Sequence, residues 1–349
     1  MLTTAFLAAA LATEPGDSVQ KKPFVFSGSA DGYYRYNFSN PQESPYNNRT
    51  SFTNSHNSFE LGMISLKAAH TIGKVGLVAD VGFGRRAEEF SYNDDNTRFA
   101  IKQLYVTYAP TEKLKFTAGS WATHIGYESV DPYLNRNYSM SYMFSYGPFF
   151  HTGVKAEVSM GDKTTLMVGI ANPTDFKSAS AMPKMVIGQL ATSSHDDKLK
   201  VYINYQGGKA LDALRLHQED IVLSYLINSK LSFSYNGTMQ QRKSVGEGGS
   251  DEYHTWWGSA LYANLDPQPW LGFTLRAEYT GDKNRLLGLS KNLFETTLSS
   301  NIRIDNLTII PEIRLDRSSN DDNNSLFMNK AGNAKNATVS GLIAAVYAF

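Results

Sequence analysis

Arg276, Glu278, Arg303, Glu312, Arg314 and Asp316 are ionisable groups set at alternating positions in three neighbouring stretches otherwise rich in apolar residues. Leu271, Phe273, Leu275, Ala277 and Tyr279 alternate with Thr274, Arg276, Glu278 and Thr280. The next two stretches place Glu295, Thr297, Ser299, Asn301 and Arg303, then Thr308, Glu312, Arg314 and Asp316, between apolar partners in the same way. A period of two puts the charges on one face of a strand and the apolar residues on the other. A charge turned toward lipid at mid-membrane costs about 2 to 4 kcal/mol, so such a face must meet water or protein while its opposite meets hydrocarbon. Interleaved signs on that wall either act on a passing solute or pair with one another and stiffen the barrel. Lys155 and Glu157 form a second mixed pair of the same kind.

The other reactive groups fit ordinary roles. The seven His residues, at 56, 70, 124, 151, 195, 217 and 254, lack the close spacing of a zinc site. His254 with Asp251, and His56 with Ser55, resemble the rim pairs of barrel hydrolases, yet nothing in the sequence orients either as base and nucleophile. Gly82-Phe-Gly84 and Gly246-Glu-Gly-Gly249 lack the strand, Lys and helix of a phosphate loop. Asp94-Asp95 and the run 321–324 read as solvated loops, the alternative being that they hold divalent cations near lipopolysaccharide. No enzyme, cofactor or metal site is expected.

The elements that position these groups repeat one grammar. From Lys113 to Met160 the chain reads as a strand, a long aromatic loop (Glu128 to Pro148) and a returning strand. Across the whole chain about sixteen strands of roughly ten residues each are expected. Gly, Pro, Asn and Asp mark tight turns at Gly73-Lys74, Pro110 to Lys113, Gly161-Asp162, His195 to Asp197, Asn228-Ser229, Asp266 to Pro269 and Asp305-Asn306. Every second connection is instead long and polar, as between Ser39 and His56. Short turns on one side and long loops on the other are the asymmetry of an outer-membrane barrel.

Composition agrees. The 349 residues include 20 Tyr and 19 Phe, mean hydropathy is slightly negative, and no run of about 18 apolar residues could form a spanning helix. Lys plus Arg equals Asp plus Glu at 33 each, which argues against a nucleic-acid partner. The lack of Cys excludes disulfides and thiolate chemistry. Met1 to Ala12 reads as an export signal ending in Ala-Leu-Ala without the usual basic start, 13–22 as a short periplasmic segment, and 23–349 as one barrel.

Lys115-Phe-Thr-Ala-Gly119, His124-Ile-Gly-Tyr-Glu128 and, above all, Asn137-Tyr-Ser-Met-Ser-Tyr-Met-Phe-Ser-Tyr-Gly-Pro-Phe-Phe-His-Thr-Gly153 resemble the OmpL-like β-barrel porin family of Bacteroidota and related bacteria. The resemblance implies a porin-like barrel in the bacterial outer membrane and carries no substrate or active site.

The expected protein is therefore an all-β transmembrane antiparallel barrel. It would pass small hydrophilic solutes with weak ion selectivity, through a lumen lined by Arg276, Glu278, Arg303, Glu312, Arg314, Asp316, Lys155 and Glu157. The alternative is a closed or plugged barrel that is a structural partner of another envelope complex. The long loop is expected to fold inward as a constriction, with Tyr133, Tyr138, Tyr142, Phe144 and Tyr146 offering faces that stack on sugar rings. Tyr347 and the terminal Phe349 form the expected signal to the barrel-assembly machinery. Expected partners are outer-membrane lipid and lipopolysaccharide, that machinery, and a second copy of the chain or an envelope complex.

Overall fold

The structure, a computed structural model, describes residues 23–209, 215–245, 250–289, 292–319 and 326–349. The expected export signal, the segment 13–22, the glycines at 246–249 and the acidic run at 321–324 lie outside the described residues.

The strands are β1 (Val25–Asn37), β2 (Ser58–Ile72), β3 (Val75–Phe83), β4 (Ile101–Thr111), β5 (Leu114–Ala122), β6 (Phe150–Ser159), β7 (Thr164–Ala171), β8 (Met185–Ser193) and β9 (Leu199–Gly208). They continue as β10 (Arg215–Asn228), β11 (Leu231–Val245), β12 (Asp251–Gln268), β13 (Leu271–Gly281), β14 (Asn292–Ile304) and β15 (Leu307–Ser318). A small hairpin, β16 (Phe327–Met328) with β17 (Ala334–Lys335), precedes β18 (Ala337–Ala348). Two short helices, α1 (Arg85–Phe90) and α2 (Tyr142–Tyr146), lie in the long loops.

Among the described residues, sixteen strands close into one antiparallel barrel in chain order, and β18 returns to β1. Ser29 pairs with Ala348 and Asn37 with Ser340, while Gly28 and Phe349 exchange two backbone hydrogen bonds of 3.0 Å. Closure leaves no edge unpaired, the condition for strands to lie in hydrocarbon. Tight turns, several with left-handed residues such as Gly73 and Asp305, gather at the end where β1 starts and β18 finishes.

The alternating pattern sets the two faces. Leu275, Leu298, Ile313 and Ile343 point outward and exposed, whereas Arg276, Thr297, Arg314 and Leu342 point inward and buried. Short helical pieces interrupt the strand grammar between β3 and β4: β3 ends at Phe83 and turns into α1, and β4 begins only at Ile101, after a 3-10 turn. Lys102, which by simple alternation shares the lipid face with Leu104 and Val106, is buried in the lumen instead. A β-bulge is the cause: Asp80 pairs with Gln103 and Val81 with Ile101, so Lys102 is the extra residue, and it turns inward. Gly82 makes room for it, since a Cβ there would lie 2.6 Å from the Lys102 chain.

Candidate functional site

The loop between β5 and β6 enters the lumen and crosses it. An irregular chain at membrane depth must find partners for its peptide groups. Here the charged ladder supplies them. Glu312 accepts from the amides of Tyr138 (2.5 Å) and Ser139 (3.1 Å), and Glu278 from those of Tyr142 and Met143 (both 2.7 Å). Arg276 donates to the carbonyl of Ser139 (2.7 Å), Arg314 to that of Met140 (2.6 Å) and Asn301 to that of Arg136 (2.8 Å). Asp316 accepts from the Tyr142 hydroxyl (2.9 Å). These are charge-assisted bonds, about twice as strong as neutral ones.

Ion pairs complete the attachment. Arg276, fully buried, bridges Glu128 of the loop (2.6 Å) and Glu295 of β14 (3.0 Å). Arg136 forms a two-pronged pair with Asp266 at 2.9 and 3.0 Å, and Arg303 shares the same carboxylate at 2.9 Å. On the opposite side Lys102 joins Asp131 of the loop (2.5 Å) to Asp80 of β3 (3.3 Å). Asp220 and Asn236 accept from the amides of Gly126 and Tyr127. The Tyr138 hydroxyl donates to Asp31 of β1 (2.5 Å), and only a glycine at position 62 leaves room for it, because a Cβ there would overlap Asp31 and lie 2.7 Å from the hydroxyl.

Apolar packing seals the outer side of the loop. Phe52, Phe90, Val130, Met140, Phe144, Phe149 and Phe150 form one buried cluster drawn from the first three long loops and the start of β6. The buried Arg86 of α1 lies 4.8 Å from the ring centres of both Phe52 and Tyr138 and donates to the Val130 carbonyl. Against β18 and β1, Tyr138 packs with Tyr33, Ile310, Leu342, Ala344 and Val346.

Two sequence expectations are corrected here. Arg276, Glu278, Glu312, Arg314 and Asp316 come together, but as buried anchors of the loop rather than as a wall open to solute. Of the five loop aromatics, Tyr138 (0% exposed), Tyr142 (1%) and Phe144 (6%) are buried and present no face for a sugar ring. Tyr146 packs beside Tyr142, Leu289, Leu293 and Phe327, and Tyr133 alone of the five is exposed. Arg303 stays partly exposed; Lys155 sits 5.1 Å from the Trp121 ring centre, and Glu157 pairs with Lys115. The rim histidines are engaged elsewhere. His254 lies 3.5 Å from Glu252 while Asp251 pairs with Lys243, and the His56 ring accepts from the Asn37 amide.

Sequence reasoning missed Glu128, Arg136, Asp31, Arg86 and Asp131 as anchors; the legible signal was three charged residues, Glu128, Asp131 and Arg136, inside an aromatic loop. It also missed Asp175 of the β7–β8 loop, which accepts from the amides of Phe149 and Phe150 (2.7 and 3.0 Å) and from the Tyr92 hydroxyl (3.1 Å). Asp175 thereby holds the hinge where the inward loop rejoins β6. Burial pushes its carboxyl up to about 7, although these donors and Lys177 favour the anion. Lys177 itself pairs with Asp94 at 2.7 Å. A solvated Asp titrates near 4. The packed hinge therefore keeps a proton that a released hinge gives up: the contribution favouring the packed state is fully present below about pH 4 and is lost as pH rises to about 7. Openings of single channels are expected to be rarer at pH 5 than at pH 8, and Asp175→Asn should flatten that dependence; an unchanged slope in the variant would assign it to another group.

A closed sixteen-stranded antiparallel barrel with short turns at one end, long loops at the other and a loop folded into its lumen is an outer-membrane barrel of the porin class. The chain belongs to the family described as "Putative beta-barrel porin-2, OmpL-like", which matches residues 23–349. Among solved structures it is similar to the outer-membrane channel DcaP of Acinetobacter baumannii, with a TM-score of 0.62 and 11% identity over 93% of this chain and 97% of that one. It is also similar to an anion-selective porin of Comamonas acidovorans (TM-score 0.59, 12% identity, 94% and 99% covered) and to OmpT of Vibrio cholerae (TM-score 0.58, 11% identity, 95% and 100% covered). At these identities the likeness is one of fold. No curated protein matches the chain in sequence.

Proposed function

We propose that this porin is a narrow diffusion channel for small hydrophilic solutes, in which the β5–β6 loop, held against the far wall by Glu278, Glu312, Arg276 and Arg314, sets the restriction. The observation that carries the reading is the row of wall-to-backbone bonds that fixes the loop across the lumen. Planar-bilayer recording of purified, heat-modifiable protein tests it: small, resolved conductance steps are expected. A second reading, a closed barrel that is a structural partner of another envelope complex, is favoured by the aromatic cluster across the outer mouth. It predicts silent wild-type protein.

Weak selectivity of anionic sign is part of the proposal. The ladder's charges are paired and buried, so they contribute little field to a passing ion. On the inward face nearer the short turns, Lys115 pairs with Glu157 and Arg303 shares Asp266 with Arg136, while Lys67 of β2, Lys155 of β6 and Lys200 of β9 have no carboxylate within ion-pair distance among the described residues. Changing Lys155 and Lys200 to Glu should move the reversal potential in a salt gradient from mildly anion-preferring to cation-preferring. An unmoved potential would place the ion path elsewhere.

Self-association is proposed as well, since one similar barrel, OmpT of Vibrio cholerae, is described in a trimer form. Tyr347 and Phe349, exposed at the end of β18 with rings 6.3 Å apart, are proposed as the signal for barrel assembly.

A further inference from the structure

On the outer surface of the barrel, toward the long-loop end, one row of paired residues runs across four strands: Tyr279 opposite Phe294, Phe294 opposite Arg317, and Arg317 opposite Ala337. All lie on the lipid-facing side, where Tyr279 and Phe294 are about two-fifths exposed, and the Trp257 ring lies tilted beside Tyr279 with centres 5.6 Å apart. Aromatic rings in this position form the girdle that marks the membrane–water interface. Arg317 therefore sits at headgroup depth. It is exposed, and neither its guanidinium nor the side-chain amide of Asn336 has a hydrogen-bond or ion-pair partner among the described residues. An open groove of about 360 Å³ lies beside them, walled by Tyr279, Phe294, Arg317 and Asn336 together with Asn292, Ser318 and Ser319. Below the row the same face continues into Leu298 and Ile313, both about half exposed.

We propose that this groove is a binding site for a phosphorylated glycolipid of the outer leaflet, with the phosphate on Arg317 and Asn336 and an acyl chain lying on Phe294, Leu298 and Ile313. The chemistry is specific at both ends. A guanidinium offers a planar pair of donors that matches a phosphate, and the uncharged alternative occupant, a plain acyl chain, would leave that cation unpaired at the edge of hydrocarbon. The row also explains why an Arg occupies an outward position: lower on the wall it would cost about 2 to 4 kcal/mol, a penalty that falls near the interface.

The test is native mass spectrometry of the intact porin in detergent with bisphosphorylated lipid A, its dephosphorylated form and phosphatidylglycerol as probes. The expected result is about tenfold tighter retention of the bisphosphorylated lipid than of either comparison lipid, lost in Arg317→Ala and retained in Arg215→Ala, which removes an exposed cation on β10 outside the groove. Heat modifiability of both variants establishes that they fold, as surface positions should. Equal retention by Arg317→Ala, or equal retention of phosphatidylglycerol, would overturn the proposal. So would efficient cross-linking between copies through a cysteine at position 317, which would assign this face to self-association.

Discussion

Replacing Glu278 and Glu312 together by Ala should raise the single-channel conductance several-fold while the barrel remains closed. Each carboxylate accepts from two adjacent loop amides, those of Tyr142 and Met143 for Glu278 and those of Tyr138 and Ser139 for Glu312. Without them four buried N–H groups lose their acceptors, at about 1–3 kcal/mol each. The loop recovers those bonds only by moving toward water, and what it leaves behind is a wider lumen. The wall itself is held by backbone pairing that the substitutions do not touch, such as Glu278 opposite Glu295 and Glu312 opposite Ser299. If wild-type protein is silent and the variant conducts, the closed-barrel reading is the correct one; if both conduct alike, these residues do not hold the restriction.

The largest loss of stability should come from Arg276→Met. Its guanidinium is fully buried between Glu128 and Glu295, whose side chains are 5% and 0% exposed. Removing one partner of a buried ion pair costs about 3–5 kcal/mol, because the remaining charge keeps its desolvation penalty and loses its compensation. Here Glu128 is left without a cation and Glu295 keeps only Arg314, at 3.9 Å. Urea unfolding followed by heat modifiability should show a shifted midpoint, and changing Glu128 and Glu295 to Leu in the same chain should restore much of it. Failure of the triple variant to recover would mean that Glu128 matters to the loop through its bonds to the Ser141 amide and hydroxyl rather than through charge.

The barrel was legible because a two-residue period forces a choice of face. Leu199, Val201, Ile203 and Tyr205 leave no other placement for Lys200 and Asn204, and the turn residues divide the connections into short and long. The bulge at Lys102 was not legible, since one extra residue breaks parity without changing composition. At the site, the same parity argument found Arg276, Glu278, Glu312, Arg314 and Asp316 but could not say what they face. A charge turned into a lumen reads alike whether it meets water or the peptide groups of a loop. That distinction depends on contacts such as Glu312 to Tyr138, whose partners lie 174 residues apart. Burial of Tyr138 and Tyr142 escaped for the same reason: an aromatic loop fills a lumen or decorates it with equal ease in sequence.

The β5–β6 loop lies across the lumen against β14, and the absence of native Cys makes that position directly measurable. The Asn137 side chain donates to the Ser299 hydroxyl at 2.5 Å, so cysteines placed at these two positions should cross-link in intact outer membranes under mild oxidation. Efficient cross-linking is expected, with no labelling of either thiol by a water-soluble maleimide and a linked channel whose conductance equals that of wild type. Rapid labelling of both thiols without cross-linking would place the loop outside the lumen and contradict this position.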